Sequence, residues 1–346
     1  MNIKKRITLF FLLIICPLLG IWIFQQKYIL INGETMGTTY EIKCYMPKWV
    51  TKDKVKIQVE DELKKLNAIF STWDNDSEIS KFNNLASTKN ITISDDLKYL
   101  MNESYKLYND TTGYFDPTIK PLSDTWGFSS YNSYFTIPKK AHLKKLSHYV
   151  GLDKLILSNN VMRKLNPNIK IDLSAIVKGF AVDKLTIILD DIGSKKYMVE
   201  IGGEIRVATN KPKKPWKIGV NKPAYHQVEK SILGSVDLWD GAIATSGDYQ
   251  NFFEKNGKIY SHIMNSTKGR PVESTVTSVS IFAPNCLLAD GLATSVFAMG
   301  LNRGLSLIEA YPNVEGLIIT REKDNSLKIY KSSGLHKVNF KLIASI

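Results

Sequence analysis

The chain has 346 residues, 44% hydrophobic and 23% charged, with 21 Gly and 12 Pro; this is the composition of a folded protein long enough to bury a sizeable core, and it excludes disordered, collagenous and low-complexity readings. The formal net charge of +13, from 46 Lys and Arg against 33 Asp and Glu, attracts anionic ligands, yet the lysines are spread along the chain and no zinc-finger, RNP or basic-zipper pattern converts the charge into nucleic-acid binding. Cys16, Cys44 and Cys286 are too few for a disulfide framework or a paired-cysteine zinc site, which leaves at most one Cys44–Cys286 bridge.

The first predicted element is membrane-inserted. Ile7 to Phe24 is apolar except for Thr8 and follows directly on Lys4, Lys5 and Arg6. At 1.5 Å per residue it is about 27 Å long, enough for a hydrocarbon core, and the basic flank marks the side retained in the cytoplasm. No small-x-small cleavage site follows it. Leu13 stands three residues before Cys16, but Ile15 fills the small-residue position of a lipobox. An uncleaved anchor is the leading expectation, with a cleaved signal and a lipidated cysteine as rivals. All three place the chain from about residue 28 outside the cytoplasm, so residues 1–27 are read as the membrane segment and 28–346 as one folded unit.

Within that unit, apolar residues at helical spacing from Val55 to Phe70 predict an amphipathic helix. A second starts at the capping residue Ser94 and stops before Gly113. A third runs from about Ala175 to Asp191, with Ser174 as cap and Gly193 past its end, and a fourth from Asp290 to Met299 is ended by Gly300. Tyr197 to Val207 alternates on both sides of Gly202-Gly203 and predicts a hairpin. Trp216 to Val220, Val276 to Ala283, and Gly316 to Thr320 with Leu327 to Tyr330 complete the predicted strands. Hairpins outnumber β-α-β crossovers, so the fold class is α+β with largely antiparallel sheets.

Nucleotide-loop, Rossmann, zincin and nucleophile-elbow patterns are missing. Four short segments look chemically constrained instead. Asp290 and Thr294 are four apart at a predicted helix start, so carboxylate and hydroxyl share one face and suit a hard cation such as Mg²⁺; the structural alternative is a cap. Asp172 precedes a helix whose first turn offers carbonyls and Lys178. Gly113-Tyr114-Phe115-Asp116-Pro117 sets aromatics beside an extended Asp. His262 lies near a turn at Gly269-Arg270-Pro271. A capping Asp, a helix-ending turn and a satisfied histidine are the respective plain readings.

In chain order, Met36-Gly37-Thr38-Thr39-Tyr40, Phe70-Ser71-Thr72-Trp73, Gly113-Tyr114-Phe115-Asp116, Asp172-Leu173-Ser174-Ala175 with Lys178-Gly179-Phe180, Glu200-Ile201-Gly202-Gly203-Glu204, Ala244-Thr245-Ser246-Gly247-Asp248, His262-Ile263-Met264 and Ala289-Asp290-Gly291-Leu292-Ala293-Thr294 strongly resemble the FAD:protein FMN transferase (ApbE) family. The resemblance spans about residues 33 to 305.

It implies an extracytoplasmic, membrane-associated enzyme that binds FAD and Mg²⁺ and transfers FMN to a Thr hydroxyl of an acceptor protein, releasing AMP. It further implies that Met36, Trp73, Tyr114, Phe115, Asp116, Asp172, Lys178 and Met264 contact the flavin nucleotide, and that the metal is held by the Ala175 carbonyl, Asp290 and Thr294. The acceptor Thr sits in a segment of the Asp-Gly-x-Ser-Gly-Ala-Thr type. Trp73 stands where the family often has Tyr, and Asn265-Ser266 where it commonly has Asp-Pro. His262 is the candidate base, with an Asp near the metal, Asp290 foremost, as its rival. A Mg²⁺-dependent FAD pyrophosphatase and a non-catalytic FAD-binding protein are the alternative functions.

Overall fold

The computed structural model describes residues 25–128, 135–209, 214–225, 231–249 and 251–344. The predicted membrane segment lies outside them; among the described residues no helix is long and apolar enough to cross a membrane.

The described residues begin with a hairpin the sequence pattern did not disclose. Strands β1 (Gln26–Thr35) and β2 (Thr38–Pro47) pair from Thr35 opposite Thr38 outward. Met36 and Gly37 form the turn, both with left-handed φ, 50° and 73°, which matches the twist of the flanking strands. Helix α1 (Lys52–Phe70) follows, capped by Thr51 and burying Val55, Val59, Leu63, Leu66, Ile69 and Phe70. Next come α2 (Glu78–Asn84), β3 (Ile91–Thr92) and α3 (Asp95–Asp110), the last capped by Ser94 through the Leu97 N–H as expected.

A short 3-10 turn (Pro117–Ile119) leads into α4 (Lys120–Trp126), followed by α5 (Lys140–Ser147), β4 (Leu155–Ser158), β5 (Val161–Lys164) and α6 (Ser174–Asp191). Strands β6 (Lys196–Ile201), β7 (Glu204–Thr209), β8 (Trp216–Asn221), β9 (Ile232–Leu238) and β10 (Gly241–Gly247) come next. Two small hairpins, β11 (Phe252–Lys255) with β12 (Lys258–Ser261) and β13 (Met264–Asn265) with β14 (Arg270–Pro271), precede β15 (Val276–Ala283). The chain closes with α7 (Cys286–Met299), α8 (Leu301–Ala310), β16 (Glu315–Arg321), β17 (Leu327–Lys331) and β18 (Lys341–Leu342).

The centre is an eight-stranded sheet of order β1-β2-β6-β7-β10-β15-β16-β17, every pairing antiparallel. The fold is thus α+β, as predicted. Its two faces divide the core by the period-2 alternation of strand side chains. On one face Ala242, Ala244, Val279, Ile281 and Ile318 join the large cluster with the helices; on the other Ile243, Phe282, Leu317 and Ile319 pack on Ile218, Val220, Leu233 and Val236 of the β18-β9-β8 sheet. Strand β15 is therefore buried along its whole length.

Three local expectations are corrected. Ser174 is not a cap but the first helical residue of α6; Leu173 occupies the cap position without a side-chain bond, and Asp172 receives the Ser174 N–H at 2.9 Å. Helix α7 starts four residues before Asp290, capped by Asn285, which accepts the Leu288 N–H at 2.9 Å, so Asp290 lies in its second turn and caps nothing there. Cys44 and Cys286 are both free and buried and form no bridge.

Candidate active site

The site is built where α6 crosses α7. A side chain at Gly179 would put its Cβ 2.3 Å from the Cys286 carbonyl oxygen and 2.8 Å from the Asp290 Cβ, so only glycine allows this approach. At the contact the Gly179 N–H donates to Asp290 Oδ2 at 2.9 Å. One turn along, Asp183 of α6 reaches across to the start of α7, accepting the Cys286 N–H at 3.0 Å and the Leu287 N–H at 2.9 Å. It also pairs with Arg206 of β7 at 2.6 Å. Asp183 therefore satisfies two of the four N–H groups that any helix start leaves open and joins α6, α7 and β7.

Two buried carboxyls, Glu204 and Asp290, and the half-buried Lys178 face each other beside this crossing. Lys178 Nζ lies 2.6 Å from Glu204 Oε1, and Glu204 Oε2 has no hydrogen-bond partner. Burial works against the Lys178 ammonium, but Glu204 and Asp290 outweigh it and hold the lysine protonated. Burial pushes both carboxyls above the ordinary carboxylate range, only partly countered by Lys178. Two carboxylates thus share one ammonium, an excess of negative charge that disfavours full ionisation of both. One turn beyond Asp290, Thr294 Oγ1 lies 3.2 Å from Ser246 Oγ on β10.

The opposite wall comes from loops. Asp116 Oδ1 accepts the Thr118 N–H at 2.8 Å and the Thr118 hydroxyl at 2.5 Å, holding the 3-10 turn; burial raises its carboxyl to about 6 despite those bonds. The Pro117 carbonyl accepts the Asp172 N–H at 2.8 Å and ties this turn to the segment before α6. Tyr114 is half-buried with its hydroxyl accepting from Arg303 at 2.6 Å, Phe115 is buried, and Trp73 is 55% exposed at the rim. His262 is half-buried, and its Nδ1 lies 3.0 Å from the Asn251 carbonyl. A carbonyl only accepts, so Nδ1 carries the proton and Nε2 keeps its lone pair. Burial, with a smaller contribution from Lys178, lowers the ring below the usual histidine value.

These walls enclose a cleft of about 360 Å³. Trp73, Tyr114, Phe115, Asp116, Asp172, Ala175, Lys178, His262, Met264, Asp290 and Thr294 all line it. Met36 does not: it sits in the β1–β2 turn, packed against the core. Sequence reasoning passed over Glu204, Ser246 and Asn251, which also line the cleft, and Asp183, which holds it together. Glu204 and Ser246 fell inside quoted motifs, and Asp183 lies three residues past the Lys178-Gly179-Phe180 motif, but nothing local distinguishes a buried strand-end Glu from an exposed one. At the Asn265-Ser266 position, Asn265 Oδ1 accepts the Lys268 N–H at 2.9 Å, and the Ser266 hydroxyl donates to the Gly113 carbonyl. The turn is thus fixed without a proline, and Ser266 ties it to the Tyr114 loop.

Residues 36–318 match the sequence pattern of the ApbE family. The chain belongs to the ApbE family. It is 36% identical to the FAD:protein FMN transferase of Vibrio cholerae, over 88% of this chain and 90% of that one, and 35% identical to that of Haemophilus influenzae, over 91% and 92%. Among solved structures, the flavin transferase ApbE from Vibrio cholerae superposes with a TM-score of 0.82 at 34% identity, covering 91% of this chain and 100% of its own. The flavinyl transferase ApbE of Pseudomonas stutzeri in its apo form gives 0.82 at 29%, covering 91% and 98%.

Proposed function

We propose that this ApbE-family chain is an FAD:protein FMN transferase, moving the FMN half of FAD to a threonine hydroxyl of an acceptor protein and releasing AMP. The observation that carries the reading is that one cleft collects a histidine with a free Nε2 and, within reach of the same space, oxygen donors from two crossing helices. In the reaction the threonine oxygen attacks the phosphorus bearing the riboflavin, the bridging P–O bond breaks, AMP leaves, and the hydroxyl proton goes to His262 Nε2. Trp73 and Tyr114 offer aromatic faces for a planar ring system. Lys178 supplies a fixed positive charge to the phosphates.

The donor set fits Mg²⁺. Asp290 and Thr294 lie on one face of α7, and Ala175 stands in the first turn of α6. The Gly179 N–H, which a regular helix directs to the Ala175 carbonyl, is engaged by Asp290. All three donors are oxygens, the preference of a hard cation. When bound, the ion would neutralise charge on the pyrophosphate. The basic segment before Ile7 and the apolar run after it support anchoring to the cytoplasmic membrane, with the cleft on the extracytoplasmic side.

Quantifying AMP after incubation with FAD and MgCl₂, with and without an acceptor carrying an Asp-Gly-x-Ser-Gly-Ala-Thr segment, tests the reading. AMP that depends on the acceptor supports transfer. Equal AMP without it would make the chain a pyrophosphatase, and no AMP in either case would make it a flavin carrier.

A further inference from the structure

Helix α5 presents an unpaired basic face next to the cleft. From Thr125 to Leu152 the sequence contains no Asp or Glu, yet it carries Lys139, Lys140, Lys144 and Lys145. At 100° per residue, Lys144 and Lys145 fall on the arc away from Leu143 and Leu146, and Lys140 lies at its edge, about 60° from Leu143; all three are exposed. Those two leucines are half-buried against Leu122, Trp126 and Met264, while no residue of α5 is fully buried. The lysine arc therefore faces solvent. None of the four lysines forms an ion pair among the described residues, whereas Lys120 on the neighbouring α4 is paired with Asp124 at 2.9 Å. The entry to the helix is apolar as well: Ile137 is 42% exposed, and Phe135, 36% exposed, has one side of its ring stacked on Phe253 with centroids 4.7 Å apart.

Lysines flanking exposed apolar side chains match an anionic lipid surface, where apolar groups enter the headgroup boundary and ammonium groups meet phosphates. An acidic protein would complement the charge but leave Ile137 without a reason. We propose that the α5 face, from Phe135 to Lys145, docks on a membrane bearing anionic phospholipid. Helix α5 packs on α4, which contributes Ser123 to the cleft wall, so docking sets the cleft beside the bilayer and its tethered acceptors. That consequence rests on the transferase reading; the docking itself does not.

The test is acetylation footprinting of the full chain mixed with nanodiscs of phosphatidylcholine alone or with 30% phosphatidylglycerol, analysed by mass spectrometry. With phosphatidylglycerol, Lys139, Lys140, Lys144 and Lys145 should label about fivefold or more slowly, in keeping with the attraction of each lysine to an anionic surface. Lys328 should be unchanged, and 0.5 M NaCl should abolish the difference. The K140E/K144E/K145E variant should lose the protection at Lys139 yet keep wild-type FMN transfer to a soluble acceptor. Equal labelling in both nanodiscs would overturn the proposal, as would protection that appears only when an acceptor protein is added. A wild-type chain that shows the protection but transfers no FMN to a soluble acceptor would instead count against the proposed function and leave the docking standing.

Discussion

In the proposed reaction the hydroxyl proton goes to His262 Nε2. Its partner Nδ1 is committed to the Asn251 carbonyl at 3.0 Å, and burial favours the neutral ring. The base form therefore persists to a pH below the ordinary histidine value of 6.5. His262→Ala should slow FMN transfer by about 10²- to 10⁴-fold, the usual range for a positioned base, with FAD affinity little changed. Wild-type rates, or equal losses in binding and turnover, would reassign the residue. Asp116 makes a second, independent prediction. Its folded carboxyl is raised from 3.8 to about 6, first by burial, so the folded state holds the proton more tightly than the unfolded chain. That contribution is complete below the unfolded value and is lost as pH rises through about 6. Urea unfolding should show stability falling over this window by up to about 3 kcal/mol, and Asp116→Asn should flatten the fall; parallel wild-type and variant curves would contradict it.

At the scale of elements, the site depends on the α6–α7 crossing more than on any single contact. Asp183→Ala would orphan the Cys286 and Leu287 N–H groups and unpair Arg206, at about 1–3 kcal/mol for each buried donor left unmade. The variant should be destabilised in urea and should need more Mg²⁺ for half-maximal transfer, because Asp290 loses the anchored start of its helix; an unchanged Mg²⁺ requirement would show that α7 is held without it. The amphipathic α1 and α3 and the Gly-Gly hairpin were legible because apolar spacing and capping residues are local signals. The start of α7 was not: Cys286, Leu287 and Leu288 carry no periodicity that separates helix from strand, and the acid that covers two of its first N–H groups lies 103 and 104 residues away. The β1–β2 hairpin was missed because Met36 adopts a left-handed φ that sequence rules assign to Gly or Asn. Most predicted site residues nevertheless meet in one cleft, since each belongs to a short motif that is readable in the sequence, whether at an element end, as Asp116 and Asp172, or inside a helix, as Lys178 and Thr294. Glu204 escaped because its burial is created by β7 pairing, not by its neighbours in sequence.

For the whole molecule, the buried thiols offer a check on the architecture. Burial raises Cys44 to about 12 and pushes Cys286 well above the ordinary thiol value, and only the thiolate reacts. Both should stay unmodified by iodoacetamide at neutral pH in the native state and react after denaturation; native modification would contradict the packing of β2 and α7. The same two-faced sheet that buries them brings α6, α7 and β7 to one edge of the cleft, so fold and proposed chemistry stand together. The most direct test is the intact mass of an acceptor protein incubated with this chain, FAD and MgCl₂. The account predicts a gain of one FMN less a water, absent with EDTA and absent with Asp290→Ala. An acceptor of unchanged mass in the presence of all three components would contradict it.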